Sequence, residues 1–263
     1  MVKATLQTSK TGTGAGAYGR SRRSRPVRVA DAIKDWVVEQ NLRRGDRLPG
    51  ETDLMARFGM AKGTIREAMR ILEAQGLVET RTGPGGGSFV GEVTADRAKA
   101  LLANYFYFKD LSIADIYQLR RALEPELAAS LAGRLTEAQT AELNAVISQY
   151  PEPASTAEEE CDQHVASLAF HRKLAEFSDN ALLAFVVSFM ARILTDLTVY
   201  RRLYDPPNRE LHETGVAYQR DLVAALQEGR AEDARTIMRG HMETAEALMQ
   251  AQEAQVLRRF IAE

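Results

Sequence analysis

Apolar residues follow two different patterns along this chain, one on each side of about residue 95. Before it, short runs at helical spacing give way to two short strand-like runs, whereas after it the helical spacing of three and four residues continues. The first part is predicted to form three helices, a strand, a glycine-rich turn and a return strand, over residues 27–41, 51–58, 62–74, 77–81, 83–87 and 88–90.

The joints between these elements are short. Gly59-Met60-Ala61 separates the second helix from the third, and Gly76 ends the third. Gly83-Pro84-Gly85-Gly86-Gly87 then supplies the turn of a hairpin. Two helices joined by a tight turn and followed by a hairpin are the arrangement of a winged helix-turn-helix, which we predict for residues 25–92.

The third helix has an apolar face and a basic face. Gly63, Arg66 and Arg70 point away from the apolar face, and Lys62 lies at its edge. An α-helix fits the major groove of B-DNA, where arginine can donate two hydrogen bonds to guanine. A basic face that is merely solvated is the alternative, but the turn and hairpin in register favour DNA binding. The apolar face consists of Ala61, Ile65, Ala68 and Leu72.

Four motifs occur here in a known order: Leu48-Pro49-Gly50-Glu51, Met60-Ala61-Lys62, Ile65-Arg66-Glu67-Ala68-Met69 and Gly76-Leu77-Val78. Over the whole domain they resemble the Leu-Pro-Ser-Glu, Val-Ser-Arg, Val-Arg-Glu-Ala-Leu and Gly-Leu-Val motifs of the GntR family of DNA-binding regulators. The resemblance implies that Lys62, Thr64 and Arg66 contact DNA from the third helix. It also implies that Arg81 and Gly83 contact DNA from the wing.

Two departures from the family pattern matter. Gly50 and Ala61 replace serines that usually cap the second and third helices, which should weaken the caps by about 1 kcal/mol for alanine and less for glycine. Thr52 stands where an arginine is common, which leaves base contacts at that position open. Arg70 joins the predicted DNA-contacting residues because it lies on the basic face.

Composition divides the chain in the same place, and 263 residues are enough for two domains. Residues 1–95 hold 16 Lys and Arg against 10 Asp and Glu, while the remainder holds 18 against 26. The first part therefore has a net positive charge that favours binding to the phosphates of nucleic acid, whereas the net negative charge of the second part would be repelled by them. A single cysteine, Cys161, excludes an intramolecular disulfide. With no apolar leader and no apolar run of membrane length, we expect a cytoplasmic protein without a membrane partner.

Residues 1–24 are rich in Gly, Ser and Thr and hold almost no large apolar residues, which predicts a disordered N-terminal arm. The end of this arm is basic. Its arginines could neutralise phosphates or enter a minor groove, or they could simply be solvated. They are Arg20, Arg22, Arg23 and Arg25.

The second part is predicted to be an all-α domain over residues 96–255 that senses a ligand and dimerises. Helices joined by short loops pack as an antiparallel bundle, and bundle cores are where all-α proteins build ligand sites. The predicted helices are 96–108, 112–134, 136–149, 158–177, 181–204, 209–228 and 231–260.

Motifs of this second part also follow a known order: Leu119-Arg120-Arg121-Ala122-Leu123-Glu124-Pro125-Glu126, Phe170-His171 with Asn180, and Gly229-Arg230-Ala231-Glu232-Asp233-Ala234 before His241. They resemble the FCD, or FadR-type, ligand-sensing domain. Many such domains hold a divalent metal with an aspartate, a histidine four residues later and two further histidines. Here Ser167 stands at the aspartate position and Gln219 at the middle histidine, which leaves His171 and His241.

Serine and glutamine are weak neutral ligands, and two imidazoles rarely hold a divalent ion alone. A zinc-like ion on His171 and His241 stays open as an alternative, and no cofactor is predicted as certain. His164 and His212, each seven residues before a position of the family's metal set, could complete such a set. Otherwise His171 and His241 form a hydrogen-bonded core pair or line an effector pocket.

Arg120 lies on an otherwise apolar stripe with Ile113, Tyr117 and Leu127, so its charge needs a partner. Glu124, one turn later, could pair with it, as could the carboxylate of a small acid, and the two could share it. By resemblance, FCD-type relatives sense small organic acids and FadR-type relatives sense acyl-CoA. The predicted effector pocket consists of Arg120, Ser167, His171, Gln219 and His241.

Together these features predict a bacterial transcriptional regulator, with repression as the expected sign. It would bind a near-palindromic operator in double-stranded DNA as a homodimer, because two helices about 34 Å apart read two half-sites. A small organic acid or an acyl-CoA-like molecule would modulate it. One alternative is a constitutive dimeric DNA binder without an effector. The other is a helical-bundle metalloenzyme tethered to DNA, which the absence of a nucleophile-base motif disfavours.

Overall fold

A computed structural model describes residues 24–109, 111–200 and 202–262. Within them the chain forms two compact units that divide between Thr94 and Ala95. The predicted arm, with Arg20, Arg22 and Arg23, lies outside the described residues apart from Ser24.

Three helices and a hairpin form the first unit: α1 (Arg25–Glu39), α2 (Glu51–Phe58), α3 (Lys62–Ala74), β1 (Val78–Arg81) and β2 (Gly87–Val90). Pro26 lies in the first turn of α1, where a missing N–H leaves no helical bond unmade. Gly59 ends α2 in the left-handed conformation and turns the chain toward α3. The core of this unit consists of Val29, Ala30, Ile33, Leu48, Leu54, Ile65, Ala68, Leu72 and Val78.

The N-caps of α2 and α3 lack side-chain hydrogen bonds, as their residues predict. Gly50 and Ala61 occupy the two N-cap positions, and neither makes a side-chain capping hydrogen bond. The placement of Ala61 on the apolar face of α3 was wrong, because Ala61 is exposed. It precedes the first helical residue in an extended conformation, so the helical spacing does not apply to it.

The wing is an antiparallel hairpin in which Val78 pairs with Val90 and Arg81 with Gly87. Each strand lies within one residue of its predicted bounds. A Cβ at Gly86 would lie 2.6 Å from the Arg81 carbonyl oxygen, so this position in the turn requires glycine. Arg47 Nη2 donates a hydrogen bond to the Gly86 carbonyl at 2.7 Å, which ties the turn to the segment before α2.

Seven helices form the second unit: α4 (Ala95–Tyr107), α5 (Ile113–Leu131), α6 (Glu137–Ile147), α7 (Ala157–Glu176), α8 (Ala181–Tyr200), α9 (Arg209–Gln227) and α10 (Ala231–Ala262). The core lies between α5, α7, α8, α9 and α10, and includes Ile113, Leu127, Phe170, Leu174, Val187, Leu194, Leu222, Leu226 and Met242. The predicted fold class is confirmed: mainly α, with a winged helix-turn-helix followed by an all-α bundle.

The start of α7 is strongly defined by its sequence. Thr156 accepts a hydrogen bond from the Glu159 backbone, and the Glu159 carboxylate accepts one from the Thr156 backbone, which makes a capping box. This cap fixes the helix that carries most of the polar residues described below.

Contrary to the expectation from the sequence, one apolar run does have membrane length. By length and composition α8 could cross a membrane. In the structure its middle, from Val187 to Ala191, is buried within the bundle, and α8 packs on α5 and α7. A helix that is apolar on most sides is also what the core of a bundle requires.

Candidate nucleic-acid interface and ligand pocket

The outer face of α3 presents its cations to solvent. The side chains of Lys62, Arg66 and Arg70 are 60%, 63% and 75% exposed, while Ile65 and Ala68 on the opposite face are fully buried. Gly63 is exposed with open space above it, and Thr64 is half-buried at the edge. The predicted basic face therefore exists as a continuous surface on this unit.

Glu51 holds two of these cations in place. Its carboxylate lies 2.7 Å from Arg66 Nε and 3.5 Å from Lys62 Nζ, which links the first residue of α2 to α3. Arg70 pairs with Glu67 on its own helix at 3.4 Å. The sequence does not single out Glu51 for this role, because its partners lie eleven and fifteen residues away and only the fold brings them together.

The wing carries one cation of the same kind. Arg81 lies 3.1 Å from Glu79, and its guanidinium stacks over the Phe89 ring at 4.5 Å from the centroid. Gly83 begins the turn with a φ of +90°, a conformation that favours glycine. These contacts hold Arg81, the strand residue next to the turn, and the turn itself in one defined conformation.

The second unit contains a cavity of about 50 Å³ between α5, α6, α7, α9 and α10. This is the volume of a few water molecules and well below the roughly 300 Å³ of a pocket for a drug-sized ligand. All five residues of the predicted effector pocket line it, together with both additional histidines: Arg120, Ser167, His171, Gln219, His241, His164 and His212.

A continuous hydrogen-bonded network runs along one side of this cavity. Arg120 Nε donates to Glu124 Oε1 at 2.5 Å, and His171 Nδ1 lies 2.5 Å from Glu124 Oε2. His241 Nε2 lies 3.3 Å from His171 Nε2. The ring of Tyr117 covers the guanidinium at 4.9 Å. Glu124 is therefore the partner of Arg120, and it serves His171 as well.

The charges of this network are fixed by their mutual contacts. Burial opposes the charge of Glu124, but Arg120 and the His171 N–H stabilise the carboxylate more strongly and hold the pKa of Glu124 well below its usual range. Both side chains are at most 1% exposed. One full positive and one full negative charge thus lie side by side beneath the cavity.

The histidines are neutral at neutral pH. Burial lowers the pKa of His171, and burial with the charge of Arg120 lowers the pKa of His164 to about 4. Burial also lowers the pKa of His241 well below its usual value. Because the Glu124 carboxylate accepts a hydrogen bond from His171 Nδ1–H, His171 Nε2 carries no proton and can accept a hydrogen bond from His241 Nε2.

These residues do not fit a tightly bound divalent metal. Within the described ranges no three His, Cys, Asp or Glu residues converge in a way that could hold an ion. Ser167 and Gln219 are neutral and bond to each other, with Gln219 Nε2 donating to Ser167 Oγ at 3.2 Å. The alternative in which His164 and His212 complete a metal-binding set was wrong, because His164 Nε2 lies 3.1 Å from Thr198 Oγ1 and no such set converges in the described ranges.

Glu160 is a pocket residue outside the set predicted from the sequence. It lines the cavity and is only 5% exposed. A signal for it does exist, because Glu160, His164, Ser167 and His171 follow one another at spacings of four, three and four residues on α7. That spacing is the stripe of a single helix face, and a buried carboxylate on a stripe with two histidines is unusual.

Two family models match the chain in succession. The model described as bacterial regulatory proteins, gntR family, matches residues 26–90, and the FCD domain model matches residues 115–244. The first match covers the winged helix-turn-helix, and the second covers the helices that line the cavity.

Individual proteins agree with these matches. The HTH-type transcriptional repressor NanR of Salmonella paratyphi A is 29% identical over 254 residues, which cover 89% of this chain and 90% of that protein. The Uxu operon regulator of Haemophilus influenzae is 22% identical over 218 residues, 82% of this chain and 79% of that protein. The solved structure titled Streptococcus agalactiae GntR has a TM-score of 0.56 at 20% identity, over 84% of this chain and 99% of that one, and shows the same fold.

Proposed function

Because this chain belongs to the GntR family of bacterial regulatory proteins and carries an FCD domain, we propose that it is a cytoplasmic, homodimeric repressor released or retained on its operator by a small acidic effector. It is a DNA-binding transcriptional regulator and not an enzyme, which excludes the tethered metalloenzyme. FCD domains bind small-molecule effectors, and the cavity of the second unit is our candidate for that site. The repressor name of the Salmonella relative supports repression as the sign.

The exposed basic face of α3 is the observation that carries the DNA-binding mode. We assign α3 to the major groove, with Lys62, Thr64, Arg66 and Arg70 as its contacts, because its opposite face is the buried core of the unit. Arg81 and Gly83 would approach the backbone or minor groove from the wing. Near-palindromic half-sites follow if two such units act together.

Dimerisation is supported by an apolar surface on the second unit. Leu101 and Tyr105 on α4, with Leu182 and Tyr200 on α8, are all more than half exposed. Exposed aromatic and aliphatic side chains of this size are typical of an interface between subunits. We assign this surface to a second copy of the chain, because an operator with two half-sites needs two units.

The effector is assigned to the cavity through Arg120. Glu124 accepts hydrogen bonds from two nitrogens of this guanidinium, and we assign N–H groups that Glu124 does not engage to the carboxylate of the effector. The size of the cavity favours a small organic acid over an acyl-CoA-like molecule.

A gel-shift series on the DNA upstream of the gene tests this function. We expect binding to a near-palindromic site by a species with the mass of two chains, abolished when both Arg66 and Lys62 are changed to alanine. A Lys99→Ala variant, which alters a cation outside the winged unit, is the matched control. Binding by a single chain would contradict the dimer, and a panel of small acids that leaves both binding and thermal stability unchanged would favour the constitutive DNA binder.

A further inference from the structure

Glu160 has a carboxylate oxygen that the protein does not satisfy. Its Oε1 accepts a hydrogen bond from the Asn208 backbone at 3.2 Å. Its Oε2 is buried and has no hydrogen-bond partner among the described residues. Buried polar atoms are almost always hydrogen-bonded, and a buried carboxylate oxygen without a donor is especially unfavourable.

The polar side chains beside Glu160 are committed to other partners. Gln163 Nε2 donates to the Glu152 carbonyl at 2.8 Å, and its Oε1 accepts from the Ala154 backbone at 3.2 Å. His164, one turn along α7, bonds to Thr198. Burial accordingly raises the pKa of the Glu160 carboxyl, with only the Asn208 N–H opposing it. A molecule in the cavity can supply the missing donor.

Arg120 lines the same cavity with the opposite charge. Glu124 engages its Nε and Nη2, at 2.5 and 3.4 Å, and Tyr117 interacts with it as well, which leaves part of the five N–H donors of the guanidinium for a ligand. The cavity thus presents donors from Arg120 and an acceptor from Glu160. Along α7 the polar stripe from Glu160 to His171 extends about 16 Å.

We propose that the effector is a small zwitterion of the amino-acid class, with its carboxylate on Arg120 and its ammonium group on Glu160. This inference rests on the proposed function, because it specifies the ligand of the same cavity. An acid without a donor would leave Glu160 Oε2 unsatisfied, and a hydroxyl group would supply one donor without a charge. An ammonium group supplies three donors and the opposite charge.

Isothermal titration of the full chain with matched compounds tests the proposal. The probes are the common α-amino acids and the series glycine, β-alanine, 4-aminobutyrate and 5-aminovalerate, each compared with the acid of the same skeleton that carries hydroxyl or hydrogen in place of the ammonium group. We expect at least one amino acid to bind about tenfold or more tightly than its hydroxyl counterpart, the difference expected of a buried ion pair.

The variant Glu160→Gln keeps the shape of the side chain and removes its charge. It should weaken the amino acid roughly 10- to 100-fold and leave the hydroxy acid unchanged. Glu158→Gln, on the exposed side of the same helical turn, should change neither. If Glu160→Gln does not fold, Glu160→Asp retains the charge on a shorter side chain and should shift the preference toward a longer amino acid.

The outcomes separate the two proposals. A hydroxy acid or an unsubstituted acid that binds as well as the amino acid, with no effect of either Glu160 variant, overturns the zwitterion and leaves the acidic effector standing. Failure of every compound in the panel to bind overturns both. Preferential binding of an amino acid that the Glu160 variants weaken supports both.

Discussion

The two units use the same ion pair, arginine with glutamate, in opposite settings. Arg66 and Glu51 meet at 2.7 Å with side chains 63% and 31% exposed, whereas Arg120 and Glu124 meet at 2.5 Å with side chains 1% and 0% exposed. Water competes for the first pair and is excluded from the second. The first pair can therefore exchange its partner for a phosphate or a base, while the second is a permanent part of the core.

The buried pair should show the largest effect when it is broken. Glu124→Leu leaves the charge of Arg120 buried without its carboxylate and removes the partner of His171, so we expect a loss of about 3–5 kcal/mol in the free energy of unfolding. Chemical denaturation measures it. The double variant Arg120→Met with Glu124→Leu should recover much of the loss, and equal destabilisation by the single and double variants would contradict a penalty due to the unpaired charge.

The neutral histidines of the second unit predict a loss of stability in acid. The pKa of His164 is about 4 in the folded protein and about 6.5 when unfolded, so between these values the unfolded state binds more protons and stability falls as the pH falls. His164 alone should contribute about 2–4 kcal/mol to this fall. The free energy of unfolding, measured by denaturation at pH 7 and pH 4, should differ less between the two pH values in His164→Gln than in the unmodified chain. An equal difference in both proteins would show that His164 does not cause the loss of stability.

Arg66→Ala should act on DNA recognition and leave the fold intact. Removing an arginine that donates to a base should reduce discrimination between operator and mismatched DNA by about 1–3 kcal/mol. Competition binding against scrambled operators measures this difference. The thermal unfolding midpoint should remain close to that of the unmodified chain, because the side chain of Arg66 is exposed. If Arg66→Ala still discriminates between operator and mismatched DNA as well as the unmodified chain does, Arg66 does not contact a base.

Glu51→Gln should have the smallest effect on stability. An exposed pair of this kind contributes about 0–1 kcal/mol, so the unfolding midpoint should barely move. The affinity for random DNA should increase, because Lys62 and Arg66 lose a competing anion. The ratio of the affinity for the operator to the affinity for random DNA should therefore fall. Asp53→Asn, which removes a charge from the same turn of α2, is the control. Weaker binding to random DNA in Glu51→Gln would show that Glu51 does not compete with phosphate.

Patterns within one element were predictable from the sequence. The apolar face of α3 fixes which way Arg66 and Arg70 point, and the glycines of the wing fix the hairpin. Ala61 was misplaced because it lies at a helix boundary, where the spacing of a regular helix ends. His171 and His241 were recognised through family motifs and do lie together.

Contacts between distant elements were not predictable in this way. Glu51 reaches α3 and Arg47 reaches the wing only after the helix-turn-helix has closed. Glu160 resembles any acidic residue in the first turn of a helix, and its neighbours Glu158 and Glu159 are indeed exposed. Its spacing from His164 and His171 places it on their face of α7, but its burial depends on Asn208 and on the helices that pack around the cavity.

The bridge from Glu51 to the cations of α3 has a kinetic consequence. A cation that already has an anion of its own protein releases fewer counterions when it meets an arbitrary phosphate, so encounters with the bulk of the chromosome are brief. If Arg66 contacts a base as proposed, only a sequence that offers this contact recovers the free energy of separating Arg66 from Glu51. On that proposal the Glu51 carboxylate shortens the search for the operator, because the protein dissociates faster from every other sequence.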